Sequence, residues 1–256
     1  MIRFFRNSVL ERSVKSNIFL LFFSNCIIEL FSFLLPYEED WTVFKNVKIS
    51  KKDIILDIGA HWGESAISFS KYYDNKIFCF EPNPFIFKKL ENKTKNLNVK
   101  LFKYGIGKQG SNKIFVPCFF NYHLSLWASG NLRQLKNRIS KYTFLDAKKI
   151  KYKKIVCLFN QPPKIKEKVA IIKIDVEGQE YQVIKKINDI INKDKPLLFI
   201  EYNEDSFEKT YNYLITRKYH SFIYFNNKLN KKNLKEIIEN SRLSEKRTLN
   251  VIFRKY

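Results

Sequence analysis

The stretch Lys51–Tyr73, KKDIILDIGAHWGESAISFSKYY, decides the fold. Ile54, Ile55 and Leu56 make a short apolar run closed by Asp57-Ile58-Gly59, after which Ala66, Ile67, Phe69 and Tyr73 recur at helical spacing. A continuous apolar run bounded by turn residues reads as a strand buried on both faces, the kind found in parallel sheets. Gly59 permits a sharp turn and lets a ligand approach the backbone, and Gly63 lets the next helix sit close to the sheet.

The same alternation continues outward. KIFCFEP (76–82) is a second strand ending at Glu81, and NPFIFKKLENKTKN behind it is a helix opened by proline. NVKLFKYGIG gives a third strand. From Lys108 to about Lys154 the pattern is irregular: a strand KIFVPCFF, a polar aromatic loop NYHLSLWASGN, and a helix near Leu132 to Tyr142. Then KVAIIKID is a strand, GQEYQVIKKINDIIN a helix, KPLLFIEY a strand and DSFEKTYNYLITRKY a helix; HSFIYFN and RTLNVIFRK are final strands. Strands alternating with helices predict an α/β fold, a mostly parallel twisted sheet with helices on both faces. The expected organisation is one such domain over residues 51–256, preceded by an N-terminal helical extension over residues 1–50.

The composition allows this. The 256 residues are 45% hydrophobic and 16% aromatic, enough to bury a sizeable core. Lys and Arg number 47 against 25 Asp and Glu, a net charge of +22. Such an excess fits nucleic acid, an anionic membrane surface or an acidic glycan as partner. It is mostly lysine spread along a chain rich in Asn, Ile, Phe and Tyr, so a biased genome composition explains it as well. Cys26, Cys79, Cys118 and Cys157 show no metal-binding spacing, so no metal is expected, and a reducing cytoplasmic setting fits them.

The amino terminus joins a basic segment, MIRFFRNSVLERSVKSN, to an apolar one, IFLLFFSNCIIELFSFLLP (18–36). A membrane span needs about 20 apolar residues. Asn25 and Glu29 interrupt this run, and a charge at membrane depth costs about 2.5–3.5 kcal/mol. Helices packed on the domain are expected, with attachment to a membrane surface as the alternative.

In doubly wound sheets ligands bind beyond the carboxyl ends of the strands. Two strand ends carry the pattern for a nucleoside cofactor: Asp57-Ile-Gly59-Ala60-His61-Trp-Gly63, with Ser65 on the helix behind it, and Glu81-Pro82 at the end of the next strand. A carboxylate at Glu81 can accept both hydroxyl hydrogens of a ribose. The spacing of Gly59 and Gly63 is not that of a dinucleotide fingerprint, so a nucleoside without pyrophosphate is expected, and S-adenosylmethionine fits. Asp57 would then face its cationic amino-acid end, and the turn Gly105-Ile106-Gly107 its adenine. The alternatives are helix capping for Asp57 and a helix-dipole partner for Glu81.

ILDIGAHWGESAISF, FCFEPNPFIFKKLENKTKN, IIKIDVEGQE and LLFIEYNE follow one another as they do in the FkbM-type methyltransferases, which this chain resembles over about Ile54 to Asn203. The resemblance implies a Rossmann-like class I methyltransferase fold, S-adenosylmethionine as cofactor, and O-methylation of a sugar or another small hydroxylated compound. His61 stands where the family usually has Asn, and Leu158-Phe159 where it usually has Leu-Asp.

Methyl transfer to an alcohol needs the acceptor oxygen aligned and its proton removed. In this fold the strand ending at Asp175 lies beside the cofactor strand, so Asp175 is the leading catalytic candidate, with Glu177 and His123 behind it. Glu180, in the first turn of the next helix, reads either as a helix-dipole acid or as an acceptor contact. Glu201 and Ser125 are further candidates for the acceptor pocket. Asp175, Glu201 and Asn203 carry oxygen ligands, but the resemblance does not require a metal. Two other readings stay open. A ribose 2′-O RNA methyltransferase would use Asp175, Glu201, Lys185 or Lys186, and an upstream lysine such as Lys51; a non-catalytic binding module would keep the fold alone.

Overall fold

The computed structural model describes residues 39–119, 122–123, 128–130, 132–142, 146–148, 150–204, 206–243 and 249–255. The expectations for the apolar amino-terminal segment, including membrane attachment, concern residues outside this set. Among the described residues no helix is long and apolar enough to cross a membrane. The described residues fall into two compact units, one within 37–111 and 158–256, the other within 112–157.

The larger unit opens with a 3-10 helix, Glu39–Asn46, and continues through β1 (Ile54–Ile58), α1 (Glu64–Ser70), β2 (Ile77–Phe80), α2 (Pro84–Thr94), β3 (Val99–Phe102) and β4 (Gly105–Ile106). β5 (Gly110–Phe119), β6 (Tyr122–His123), α3 (Leu132–Tyr142) and β7 (Lys151–Asn160) follow, mostly in the smaller unit. The chain then adds β8 (Val169–Ile174), α4 (Glu180–Lys186), α5 (Asn188–Asp194), β9 (Leu197–Glu201), α6 (Phe207–Ile215), β10 (His220–Phe225), β11 (Lys228–Lys231), α7 (Leu234–Leu243) and β12 (Asn250–Arg254).

One eight-stranded sheet organises the larger unit, in the order β11-β10-β12-β9-β8-β1-β2-β3. The run β9-β8-β1-β2-β3 is parallel, and β12 and β11 enter antiparallel beside β9 and β10. Every residue of β1 and β2 is buried, as expected for strands covered on both faces. The two-residue period divides the sheet cleanly. Leu56, Ile58, Phe80, Ile172, Ile174, Leu198 and Ile200 face one core with Val183, Ile184 and Phe207. Ile55, Cys79, Ile171 and Phe199 face the other, with Trp41, Phe44, Phe69 and Leu90.

Trp41 and Phe44 carry the 3-10 helix into that second core, where the Trp41 ring lies 5.0 Å from Phe199 and 5.1 Å from Phe69. The last residues of the segment expected as an extension are therefore core of the larger unit. Three other features went beyond the sequence pattern. The helix after Gly178 breaks at Ile187 into α4 and α5, β7 runs on from the end of the irregular stretch through residues that had been given no element, and β11 and α7 had not been anticipated.

Candidate functional site

Register places the candidate residues in two rows across the strand ends. Asp57 on β1 stands opposite Cys79 on β2 and Lys173 on β8, and Lys173 stands opposite Phe199 on β9. Two residues further on, and so on the same face of the sheet, come Glu81, Gly59, Asp175 and Glu201. Three carboxylates thus close neighbouring strands around one glycine.

Gly59 is needed because two backbones meet there. It has φ 82, and a Cβ on it would strike the carbonyl oxygen of Asp175, with the carbonyl carbon 2.9 Å away. The close approach foreseen at this glycine is made by the chain itself. Gly63, with φ 94, gives room to α2 instead of the sheet: its Cβ would lie 2.8 Å from Thr94 Cγ2 and 3.0 Å from Leu90 Cδ1.

Between the glycines the loop turns through His61, which has φ 47, left-handed backbone that non-glycine residues seldom adopt. The turn aims the His61 amide at Glu81 Oε2, 3.1 Å away, while the Asn83 amide donates to Oε1 at 2.8 Å. Burial pushes the Glu81 carboxyl up, against the pull of His61 and of these two amides. Each oxygen keeps a further lone pair for a ligand hydroxyl. The His61 ring lies against Trp62 at 4.4 Å, with Nδ1 3.6 Å from Glu64 Oε2 and a buried Nε2 that has no hydrogen-bond partner. An orphaned donor or acceptor beside a half-satisfied carboxylate fits a site completed by a polar ligand.

The backbone amides of Gly59 and Ala60 both donate to the Phe80 carbonyl at 3.0 Å, which fastens this loop to β2. Ala60 and Ser65 are buried and Pro82 half-buried. Asp57 is gripped by the chain's own groups. It is 0% exposed, accepts the Ser65 hydroxyl on Oδ2, and has Oδ1 3.6 Å from Lys173 Nζ. Its burial places it beneath the loop, which it supports through Ser65 and Lys173, while Oδ1 has no hydrogen-bond partner. Burial raises its carboxyl, opposed by Lys173 and Ser65.

Lys173 was not singled out in the sequence. Its ammonium donates to the Gly59 carbonyl at 2.7 Å and lies 3.4 Å from Asp175 Oδ2. The signal was there: one lysine inside the apolar strand VAIIKI, two residues before an acid, so that both side chains share a face. Along this chain of charges the Asp57 side chain is 0% exposed, Lys173 6% and Asp175 38%, so Asp175 is the member that opens outward.

Asp175 and Glu201 behave as a pair. Burial works to raise Asp175, but Lys173, a hydrogen bond from Glu201 and His61 together bring it below its ordinary value. Glu201 is pushed well above its own by burial, then by the Asp175 charge and their shared hydrogen bond. The two groups are pushed in opposite directions, Glu201 up and Asp175 down. Such a pair titrates as a unit.

Glu180 is a brace. It is 1% exposed; Oε1 accepts the amides of Gly178 at 2.9 Å and Val176 at 3.3 Å, and Oε2 accepts the Ser206 hydroxyl at 2.6 Å. With both oxygens engaged it holds the turn after β8 to α6, so of its two readings the structural one has contacts behind it, though with Ser206 as well as the helix start. That turn is tight: Glu177 has φ 53 and Gly178 φ 93. Glu177 is half-buried.

Gly105 and Ile106 form β4 instead of an open turn. They pair with Phe159 and Asn160, and a Cβ on Gly105 or Gly107 would lie 2.6 or 3.0 Å from the Phe159 ring. The Phe159 ring is accommodated by these two glycines. His123 pairs through its backbone with Cys118 in the smaller unit, and Ser125 lies outside the described residues. Lys185 and Lys186 are exposed on the last turn of α4, and Lys51 is exposed before β1. Among the described residues no three His, Cys, Asp or Glu side chains group as a metal site.

Comparison with known proteins follows the same elements. The Methyltransferase FkbM domain matches residues 57–224, from Asp57 to β10. A search of curated proteins finds no match. Among solved structures, methyltransferase FkbM from Methylobacillus flagellatus KT has TM-score 0.49 at 14% identity, over 82% of this chain and 45% of its own, so this chain spans less than half of that protein. An rRNA methylase from Streptococcus thermophilus gives 0.45 at 11% identity, over 86% and 99% of the two chains. A Streptococcus mutans protein in complex with SAH gives 0.44 at 14%, over 87% and 98%. The family domain spans well over half of the sequence, and the chain belongs to the FkbM methyltransferase family.

Proposed function

We propose that the protein is an S-adenosylmethionine-dependent O-methyltransferase whose acceptor is a hydroxyl of a sugar, a glycan or another small molecule. The observation that carries this is Asp175, a partly exposed carboxylate held ionised by Lys173 at the strand end beside the Glu81 cradle. Glu81 and His61 would hold the cofactor, which supplies an electrophilic methyl group when bound.

The chain's own residues then do the following. Glu81, oriented by the His61 and Asn83 amides, accepts hydrogen bonds from ligand hydroxyls. Asp175 accepts the proton of the acceptor hydroxyl, as a carboxylate near a reacting alcohol does. Glu201, whose carboxyl burial and the Asp175 charge push up, shares a hydrogen bond with Asp175 and orients it. Glu180 fixes the turn on which Asp175 sits. The lysines proposed for ribose 2′-O methylation of RNA offer no support to that reading, because Lys185 and Lys186 are exposed on the far turn of α4.

The test is transfer of an isotope-labelled methyl group from S-adenosylmethionine into fractionated glycans, small metabolites and RNA, read by mass spectrometry. Label in a hydroxylated small molecule or glycan with the wild type, and none with Asp175→Asn, is expected. Label confined to RNA would contradict the assignment.

A further inference from the structure

We propose that Lys173 is the positioning residue of this site: one buried ammonium that ties the loop after β1, through Gly59, to the outward-facing carboxylate of Asp175. The proposal rests on the reading of Asp175 as proton acceptor. A charge inside a central strand is costly unless paired and hydrogen-bonded. Lys173 sits between β1 and β9 in a strand otherwise built of Val, Ala and Ile, where a methionine of similar length would pack without that cost.

The bland alternative makes Lys173 a counterion for Asp57 and nothing more. Geometry speaks against it. The ammonium's short hydrogen bond, 2.7 Å, goes to the Gly59 carbonyl, its nearer carboxylate is Asp175 at 3.4 Å, and Asp57 is the farther one at 3.6 Å. Asp57 meanwhile takes its hydrogen bond from Ser65. The ammonium thus bonds the carbonyl of the glycine at which the backbones of β1 and β8 meet. It is placed to hold the cofactor loop and the acceptor-side carboxylate in one fixed relation.

The charged groups around it come from every neighbouring element. Asp57 stands on β1, Asp175 on its own strand's end and Glu201 on β9; His61 on the loop after β1 and Glu180 on α4 act on Asp175 or Glu201. Burial alone would lower the Lys173 ammonium, but Asp175, Asp57 and Glu201 together raise it, so it stays protonated. It is therefore no proton acceptor itself. Its effect passes through Asp175: the ammonium holds Asp175 down, and the Asp175 charge in turn pushes Glu201 up.

The experiment is a carboxyl carbon-13 NMR titration of the ligand-free full chain, with Asp175 assigned by its loss in Asp175→Asn. In Lys173→Met the Asp175 midpoint should rise by about one pH unit or more, the size expected for removing an opposite charge at this range. Lys173→Arg should restore most of that shift, which a merely structural role would not do. An unchanged midpoint in Lys173→Met overturns the proposal. Should that variant fail to fold, Asp57→Asn with Lys173→Met removes one charge of each sign and is titrated in its place. Failure of both to fold, with Asp57→Asn alone folded, assigns Lys173 to the fold and also overturns it. Retained methyl transfer by Asp175→Asn would instead sink the reading of Asp175, whatever the titration shows.

Discussion

The backbone carbonyl of Asp175 occupies the place where a side chain on Gly59 would begin. The strand ends of β1 and β8 touch there, so the loop after β1 and the turn that carries Asp175 cannot move independently. Gly59→Ala adds left-handed strain at φ 82 to a collision with main chain. It should cost about 3 kcal/mol or more, read as a lowered urea midpoint. A midpoint within error of the wild type would show that β1 and β8 can separate without penalty.

Trp41 anchors the first described turn of the chain among Phe44, Phe69 and Phe199. Trp41→Ala should cost about 3–5 kcal/mol, the usual loss for a buried aromatic. A chain starting at residue 51 should lose at least as much in the same thermal or urea measurement. Equal stability of the shortened chain would return the 3-10 helix to the status of an appendage.

Glu180 joins the turn after β8 to Ser206 before α6. Glu180→Ala leaves two amides and a hydroxyl without their acceptor and should cost about 3 kcal/mol. Ser206→Ala removes one donor and should cost about 1 kcal/mol. Combined in one chain, the two changes should cost less than their sum, since both act on one hydrogen bond. Full additivity would mean that the bond contributes nothing.

The large parallel sheet was legible in the sequence because its strands are buried on both faces and read as unbroken apolar runs: IILDI, IFCF, VAIIKI and LLFIE. The acids at strand ends, Glu81, Asp175 and Glu201, were legible for the same reason, since each stops such a run. Two-residue alternation inside the strands was read less closely, and it decides direction. It brings Lys173 onto the face that carries Asp57 and Asp175. Glu180 looked like a helix-start acid because one-dimensional spacing cannot show that Ser206, from a later element, comes to meet it. The glycines Gly105 and Gly107 looked like an open turn because their partner, Phe159, lies far along the chain.

Glu201 and Asp175 give opposite dependences on pH. The folded value of Glu201 lies above its ordinary one, so its stability contribution is fully present below about pH 4.3 and is lost as pH rises through the folded value. Asp175 is lowered, so its contribution is present above about pH 3.9 and is lost as pH falls through its folded value. Glu201→Gln keeps a donor for Asp175 and cannot ionise. Relative to the wild type it should therefore gain stability as pH rises from about 4 to 8, measured as urea midpoints at each pH. A difference that stays constant across that range would remove the shared proton.

Calorimetric titration of S-adenosylmethionine into the wild type and into Glu81→Ala tests the site most directly, because Glu81 is where two amides orient a carboxylate toward open lone pairs. Saturable binding by the wild type, weakened about tenfold or more in the variant with its fold intact by circular dichroism, is the expected result. No binding by the wild type, or equal affinity in the two proteins, would contradict a cofactor site at the ends of β1 and β2.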